Sequence, residues 1–140
     1  MEAFGIPIAE KTLYDEFCEN ITFREGRYEV ALPWKNPQPD LPNNYNLSLK
    51  RLRGLIECLK HDKKLLGEYD SVIKTQLQQG IVEPIENATE VNISGVHYLP
   101  HHAVVRRDKQ TTKVRIVYDA SARSNGPSLN DYLHPGPKCD

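Results

Sequence analysis

Tyr98-Leu-Pro-His-His-Ala-Val-Val-Arg-Arg-Asp108 and Lys113-Val-Arg-Ile-Val-Tyr-Asp-Ala-Ser121 are two runs of alternating β-type residues, joined by the polar segment 107–112. Their spacing predicts a β-hairpin with strands over 96–106 and 113–119. Side chains alternate between the two faces of a strand. Val114, Ile116 and Tyr118 therefore point one way, as a core face, and Arg115, Val117 and Asp119 the other. On the first strand His102, Val104 and Arg106 share one side, with Ala103, Val105 and Arg107 on the opposite one. A pairing thus exists in which Arg106 and Arg115 lie on one face. Two planar guanidinium forks converging there suit a polyphosphate, because each donates paired hydrogen bonds and stays charged. The alternative is that Arg106, Arg107, Lys109 and Lys113 keep a hairpin tip solvated and guard a sheet edge. Spacing alone favours that plainer reading.

Two helical patterns precede the hairpin. Asn46 is placed to cap a helix whose apolar side is Leu47, Leu52, Leu55, Ile56 and Leu59, with Lys50, Arg51, Arg53 and Lys60 opposite. The next stripe, Leu65, Leu66, Tyr69, Val72, Ile73 and Leu77, is broken by Gly67 and ends at the stop signal Gly80. Extended chain follows from Gly80, then a polar loop over 87–95. Further back, 33–46 is rich in proline and asparagine, which suits a linker or strap rather than helix interior or central strand. Thr12 to Ile21 predicts a short helix, and Thr22 to Leu32 a second hairpin turning at Glu25-Gly26. There is no internal repeat or low-complexity tract.

The 140 residues suffice for one domain or a piece of a larger one. A net charge of −1 argues against a wholly basic nucleic-acid coat. The charge is unevenly spread. Residues 101–140 hold seven basic and four acidic side chains, a net of +3, leaving −4 on the first hundred. A polyanionic partner is therefore expected toward the C-terminal third. Three scattered cysteines, Cys18, Cys58 and Cys139, make no CxxC pair and fit reduced thiols. No run approaches a membrane-spanning length and no leader pattern opens the chain, so the expectation is a soluble, intracellular protein that is not secreted and engages no membrane. On that expectation the sequons at Asn20, Asn46, Asn87 and Asn92 are chance matches.

The joint text, His97 to Arg106 (HYLPHHAVVR), Lys113 to Ala122 (KVRIVYDASA) and Ser128 to Pro137 (SLNDYLHPGP), resembles the start of a reverse transcriptase domain of the BEL/Pao class of retrotransposons. Arg27 to Trp34 (RYEVALPW) resembles the segment that precedes the polymerase there. The helix text ending in QGIVEP is similar to that family's lead-in to the fingers. The resemblance spans roughly residues 20 to 138, and its specificity lies in the combination. It implies an α+β fold: two helices and a β-hairpin of the fingers subdomain of a right-hand polymerase, preceded by an extended and hairpin connector. The implied division is a connector over 1–45 and a fingers part over 46–140, possessing no palm. It also implies that Arg106 and Arg115, with Lys113 as a substitute, contact the triphosphate of the incoming nucleotide. His102 and Val117 would lie against the templating base, and Asn130 would approach the template backbone, unless it simply caps a local turn. Implied partners are an RNA or DNA template-primer, a deoxynucleoside triphosphate and the remainder of the polyprotein, in the cytoplasm or a virus-like particle.

Magnesium is expected in the complete polymerase, where acidic residues hold two ions for phosphoryl transfer. In the resembling proteins those carboxylates follow the SLNDYLHPGP segment, so this chain binds no cofactor and should not polymerise alone. Asp119 is not one of them and instead fixes local backbone or orients a neighbouring arginine. A zinc shell from His97, His101, His102, His134 and Cys139 is disfavoured, because Pro100 and the alternation imply extended chain between His97 and His101. The alternative function is a non-enzymatic retroelement remnant acting as a small interaction or structural protein. An independent hydrolase lacks a nucleophile elbow or metal motif.

Overall fold

A computed structural model of the chain describes residues 8–36, 40–85, 95–108 and 111–136. Three α-helices and two antiparallel β-hairpins make it a mixed α+β protein. The chain divides into two compact units, one formed by Met1–Pro39 with Asn130–Asp140 and one by Asp40–Leu129.

The first unit carries α1 (Ile8–Asn20) and a short hairpin of β1 (Thr22–Arg24) and β2 (Arg27–Glu29). The helix starts four residues before Thr12, the start that the sequence pattern predicts. The hairpin turns at Glu25-Gly26, with φ of 48° and 78°. Positive φ at both central residues is what a two-residue type I′ turn demands, and the glycine supplies one of them without steric cost. Phe23 pairs with Tyr28, their ring centroids 4.8 Å apart. Farther on, the proline-rich strap makes a single antiparallel bridge, Trp34 with Leu133, flanked by Lys35 N–H to Tyr132 C=O and His134 N–H to Pro33 C=O.

The second unit packs two helices, α2 (Tyr45–Leu59) and α3 (Lys63–Gln78), against a long hairpin of β3 (His101–Asp108) and β4 (Thr111–Tyr118). The expected apolar stripes face inward only in part. Leu59 and Tyr69 are fully buried, whereas Ile56, Ile73 and Leu77 remain exposed. Helix α3 begins at Asp62, whose carboxylate accepts from Leu65 N–H, and ends in a Schellman motif at Gly80. There Ile81 N–H reaches Gln76 C=O and Gly80 N–H reaches Leu77 C=O, with Gly80 at φ 67°.

Three sequence expectations differ from the structure. Helix α2 is not capped by Asn46, which lies exposed inside it. The cap position is Asn44, held at φ 57°, and the cap-like side-chain bond comes from Asn43, whose Oδ1 accepts from Tyr45 N–H. Asn44 is buried and instead donates its amide to Ala122 C=O. Asparagine tolerates this left-handed conformation better than other side chains, which is why it can end the strap. The second correction is the turn over 107–112. The ladder continues through Arg107 paired with Thr112 and Asp108 with Thr111, so four of those six residues belong to strands. β-Branched Thr111 and Thr112 suit a strand despite their polarity. Lys109 and Gln110, like the 86–94 part of the polar loop, lie outside the described residues. At the other end, pairing starts at His101 rather than at 96.

Candidate functional site

The register of the long hairpin sets which side chains meet. His102 pairs with Val117, Val104 with Arg115, and Arg106 with Lys113. Directly opposed residues share a face, and all six of these side chains are exposed. The other face, Ala103, Val105, Val114 and Ile116, is half-buried toward the helices. Arg106 and Arg115 are diagonal neighbours on the outer face, a relation that puts the two residues roughly 7 to 8 Å apart, within reach of long side chains. Lys113 lies between them in register, directly across from Arg106.

Among the residues whose side chains are described, which exclude Asp108, no carboxylate forms an ion pair with Arg106, Lys113 or Arg115. Like charges directly opposite on a ribbon destabilise it, by roughly 0.2 to 1 kcal/mol. An anion seated over the three cations removes that repulsion and gains charge-assisted hydrogen bonds. His102 and Val117 extend the same face toward the hairpin root, offering an imidazole and a branched aliphatic surface to a stacking ring.

The root is fixed from two helices. The Tyr69 hydroxyl of α3 bonds to His101 Nδ1, with the two rings stacked 18° from parallel and 5.8 Å between centroids. His101 also meets Tyr118 edge to face at 6.0 Å. Burial pushes the Tyr69 phenol up to about 12, with Tyr118 adding to the effect. Burial also lowers the His101 imidazole below its ordinary value, and the neighbouring His102 lowers it further. In the neutral tautomer that carries its proton on Nε2, His101 Nδ1 accepts the hydrogen bond that the Tyr69 hydroxyl donates.

On the other strand, Asp119 N–H donates to Pro100 C=O at 2.8 Å, and Arg51 of α2 reaches Asp119 at 2.5 Å. Ser121 donates to the same carboxylate from its hydroxyl and its backbone N–H. Those Ser121 and Arg51 bonds hold the Asp119 carboxyl down at about 2. Asp119 thus orients Arg51, a helix residue, rather than either hairpin arginine.

Asn130 belongs to the other compact unit and is exposed within the turn Leu129–Tyr132. The structure therefore assembles His102, Arg106, Lys113, Arg115 and Val117 on one surface, with Asn130 in a separate unit. Sequence reading missed Lys63 and Lys64. They line an open groove between α3 and β4 together with Glu68, Ser71 and Lys113, which puts three lysines and one carboxylate beside the edge of the hairpin. Only the coincidence of two lysines in the first turn of a helix, where cations oppose the dipole, hinted at them.

The histidines are dispersed. His97 Nδ1 donates to Pro42 C=O at 2.5 Å, His101 is bound to Tyr69, His102 is exposed, and His134 sits in the other unit. Cys139 lies outside the described residues. Among the described residues no group of three His, Cys, Asp or Glu side chains could hold a metal ion. Asp119, which follows β4, is committed to Arg51 and Ser121. No helix among the described residues is long and apolar enough to cross a membrane.

Compared with known proteins, the chain matches no family model, no curated protein and no solved structure.

Proposed function

We propose that this chain is the connector and fingers part of an RNA-directed DNA polymerase of BEL/Pao-like retroelement type, contributing contacts to the nucleotide triphosphate and the template. The observation that supports it is the cationic face: Arg106, Lys113 and Arg115, exposed on the same side as His102 and Val117. Arg106, Lys113 and Arg115 hold phosphate oxygens, while His102 and Val117 pack against a base. Polymerisation itself needs two-metal chemistry supplied by residues elsewhere in a complete enzyme.

The test is binding of a single-stranded oligouridylate and of inorganic tripolyphosphate across a salt series. Affinity should fall steeply with salt, and Arg106→Ala combined with Arg115→Ala should lower the slope of log affinity against log salt by about 2. Absence of binding even at low ionic strength, or a double variant that binds as the parent does, rejects the proposal.

A second reading is a non-enzymatic remnant that acts as an interaction protein. It is favoured by the apolar side chains exposed in the first unit, Phe23, Tyr28, Val30 and Leu32. Catalytic inertness with no nucleic-acid binding, together with retained folding, is the outcome that selects it.

A further inference from the structure

We infer that Tyr69 is a positioning residue for the cationic face of the long hairpin, acting through His101. The inference rests on the proposed anion-binding reading of that face for its functional consequence, but not for its structural one.

The hairpin is a two-stranded ribbon whose inner-face residues Ala103, Val105, Val114 and Ile116 are only half-buried. Such a ribbon has little packing to define its angle on the helices beneath. Its outer face also carries Arg106 directly opposite Lys113, a repulsion that works against the ladder. Something must therefore fix the root. Tyr69 is 5 % exposed and sits on α3, and its ring stacks on His101, the first residue of β3.

Burial alone does not account for a tyrosine there. A phenylalanine would fill the same volume without a hydroxyl that must find a partner in the interior. The hydroxyl's bond to His101 Nδ1 adds what apolar packing lacks, a set distance and direction between α3 and one atom of β3. His101 is followed by His102, whose side chain points to the outer face. Turning or sliding His101 thus moves the first residue of the candidate site, and through the ladder Val117 and Arg115. The titratable groups around His101 are Tyr69 from α3, Tyr118 from β4 and His102 beside it on β3. None is a carboxylate, so the neutral bond to Tyr69 is what orients the ring. Arg51 with Asp119 provides the corresponding anchor on β4, but it is a partly exposed pair and screened by solvent.

The experiment uses the whole chain with Tyr69→Phe, which keeps the ring and removes the bond. His101→Asn serves as the conservative rescue, placing an amide oxygen near the position of Nδ1. Two readouts are taken: backbone amide exchange by mass spectrometry, and affinity for tripolyphosphate and a 20-nucleotide oligouridylate. In Tyr69→Phe, amides of 101–106 and 113–118 should exchange about tenfold faster, the loss of one net hydrogen bond, while those of α2 keep the parent rate. Affinity for both probes should fall about tenfold as well. His101→Asn should stay within about threefold of the parent in both readouts, because its oxygen still accepts. A Tyr69→Phe chain whose hairpin exchanges at the parent rate overturns the inference, and so does acceleration spread equally over α2, which would mark a merely structural loss. If the parent chain binds neither probe, the proposed reading of the face fails, and the exchange comparison still decides the role of Tyr69.

Discussion

The two hairpins of this chain are built on opposite plans. The short one has three residues per strand and a turn that satisfies its own geometry through Glu25 and Gly26. Its cross-strand pairs are an exposed aromatic couple, Phe23 with Tyr28, and two polar pairs on the other side. The long one has eight residues per strand and draws its order from outside, through Tyr69 and Arg51 on the helices. In the first, local turn chemistry does most of the work. In the second, register and distant anchors do it, which leaves Arg106, Lys113 and Arg115 exposed on the outer face. Both ribbons carry one like-charged cross-strand pair, Arg24 with Arg27 in the short one and Arg106 with Lys113 in the long one, so the two plans can be compared at matched charge.

The contrast is most directly broken by moving the charge loss from one hairpin to the other. Arg106→Ala with Arg115→Ala should weaken oligouridylate binding at low salt by more than tenfold, whereas Arg24→Ala with Arg27→Ala, also a cross-strand arginine pair, should change it less than twofold. Filter binding or fluorescence anisotropy at matched ionic strength decides between them, and equal effects would erase the distinction.

Anchoring is tested next by truncation. Tyr69→Ala should destabilise the second unit by about 3 kcal/mol, since a buried aromatic is lost and His101 is left without its partner. Urea unfolding followed by amide exchange should show the β3–β4 amides losing protection while the β1–β2 amides keep theirs.

A smaller, pH-dependent effect should appear only in the long hairpin. His101 has a folded pKa below its ordinary 6.5, so the unfolded chain binds protons more readily in this range. Stability is then complete above about pH 6.5 and is lost as the pH falls below it toward the folded pKa. Asp119, held at about 2, adds stability that persists down to its ordinary 3.8 and is lost only below that. Melting curves between pH 7.5 and pH 5 should therefore decline in the parent chain, and His101→Asn should flatten them.

The least effect belongs to the self-sufficient turn. Glu25→Asn places a residue that accepts positive φ more readily at a φ of 48° and should stabilise the short hairpin by about 0.5 kcal/mol. Amide exchange of Thr22 to Glu29 is the measurement, and no change would mean that the turn does not limit this hairpin.

What was legible in the sequence was whatever depends on the local backbone. Alternation placed His102, Arg106, Arg115 and Val117 on one side, and the register of the ladder puts them there, because the side-chain period of a strand is a property of the chain itself. Gly80 and Gly26 were readable for the same reason. The α2 start was not, since Asn43, Asn44 and Asn46 all have capping chemistry. The choice among them depends on Ala122 C=O, 78 residues away. The turn length was misjudged because Arg107, Asp108, Thr111 and Thr112 have the composition of a turn but the pairing of strands. The anchors Tyr69 to His101 and Arg51 to Asp119 span 32 and 68 residues, and nothing local announces them.

Since the ladder runs out to Asp108 opposite Thr111, only Lys109 and Gln110 stand between its last paired residues. Length changes in this ribbon are therefore governed by parity. Removing Val104 or Val105, which lie between the anchored root and Arg106, would turn the Arg106 guanidinium toward the helices, or else force a bulge that takes up the odd residue. Removing two would shorten the finger and leave its sidedness intact. An odd deletion and an even one, differing by a single amino acid, should thus have opposite consequences for the charged surface.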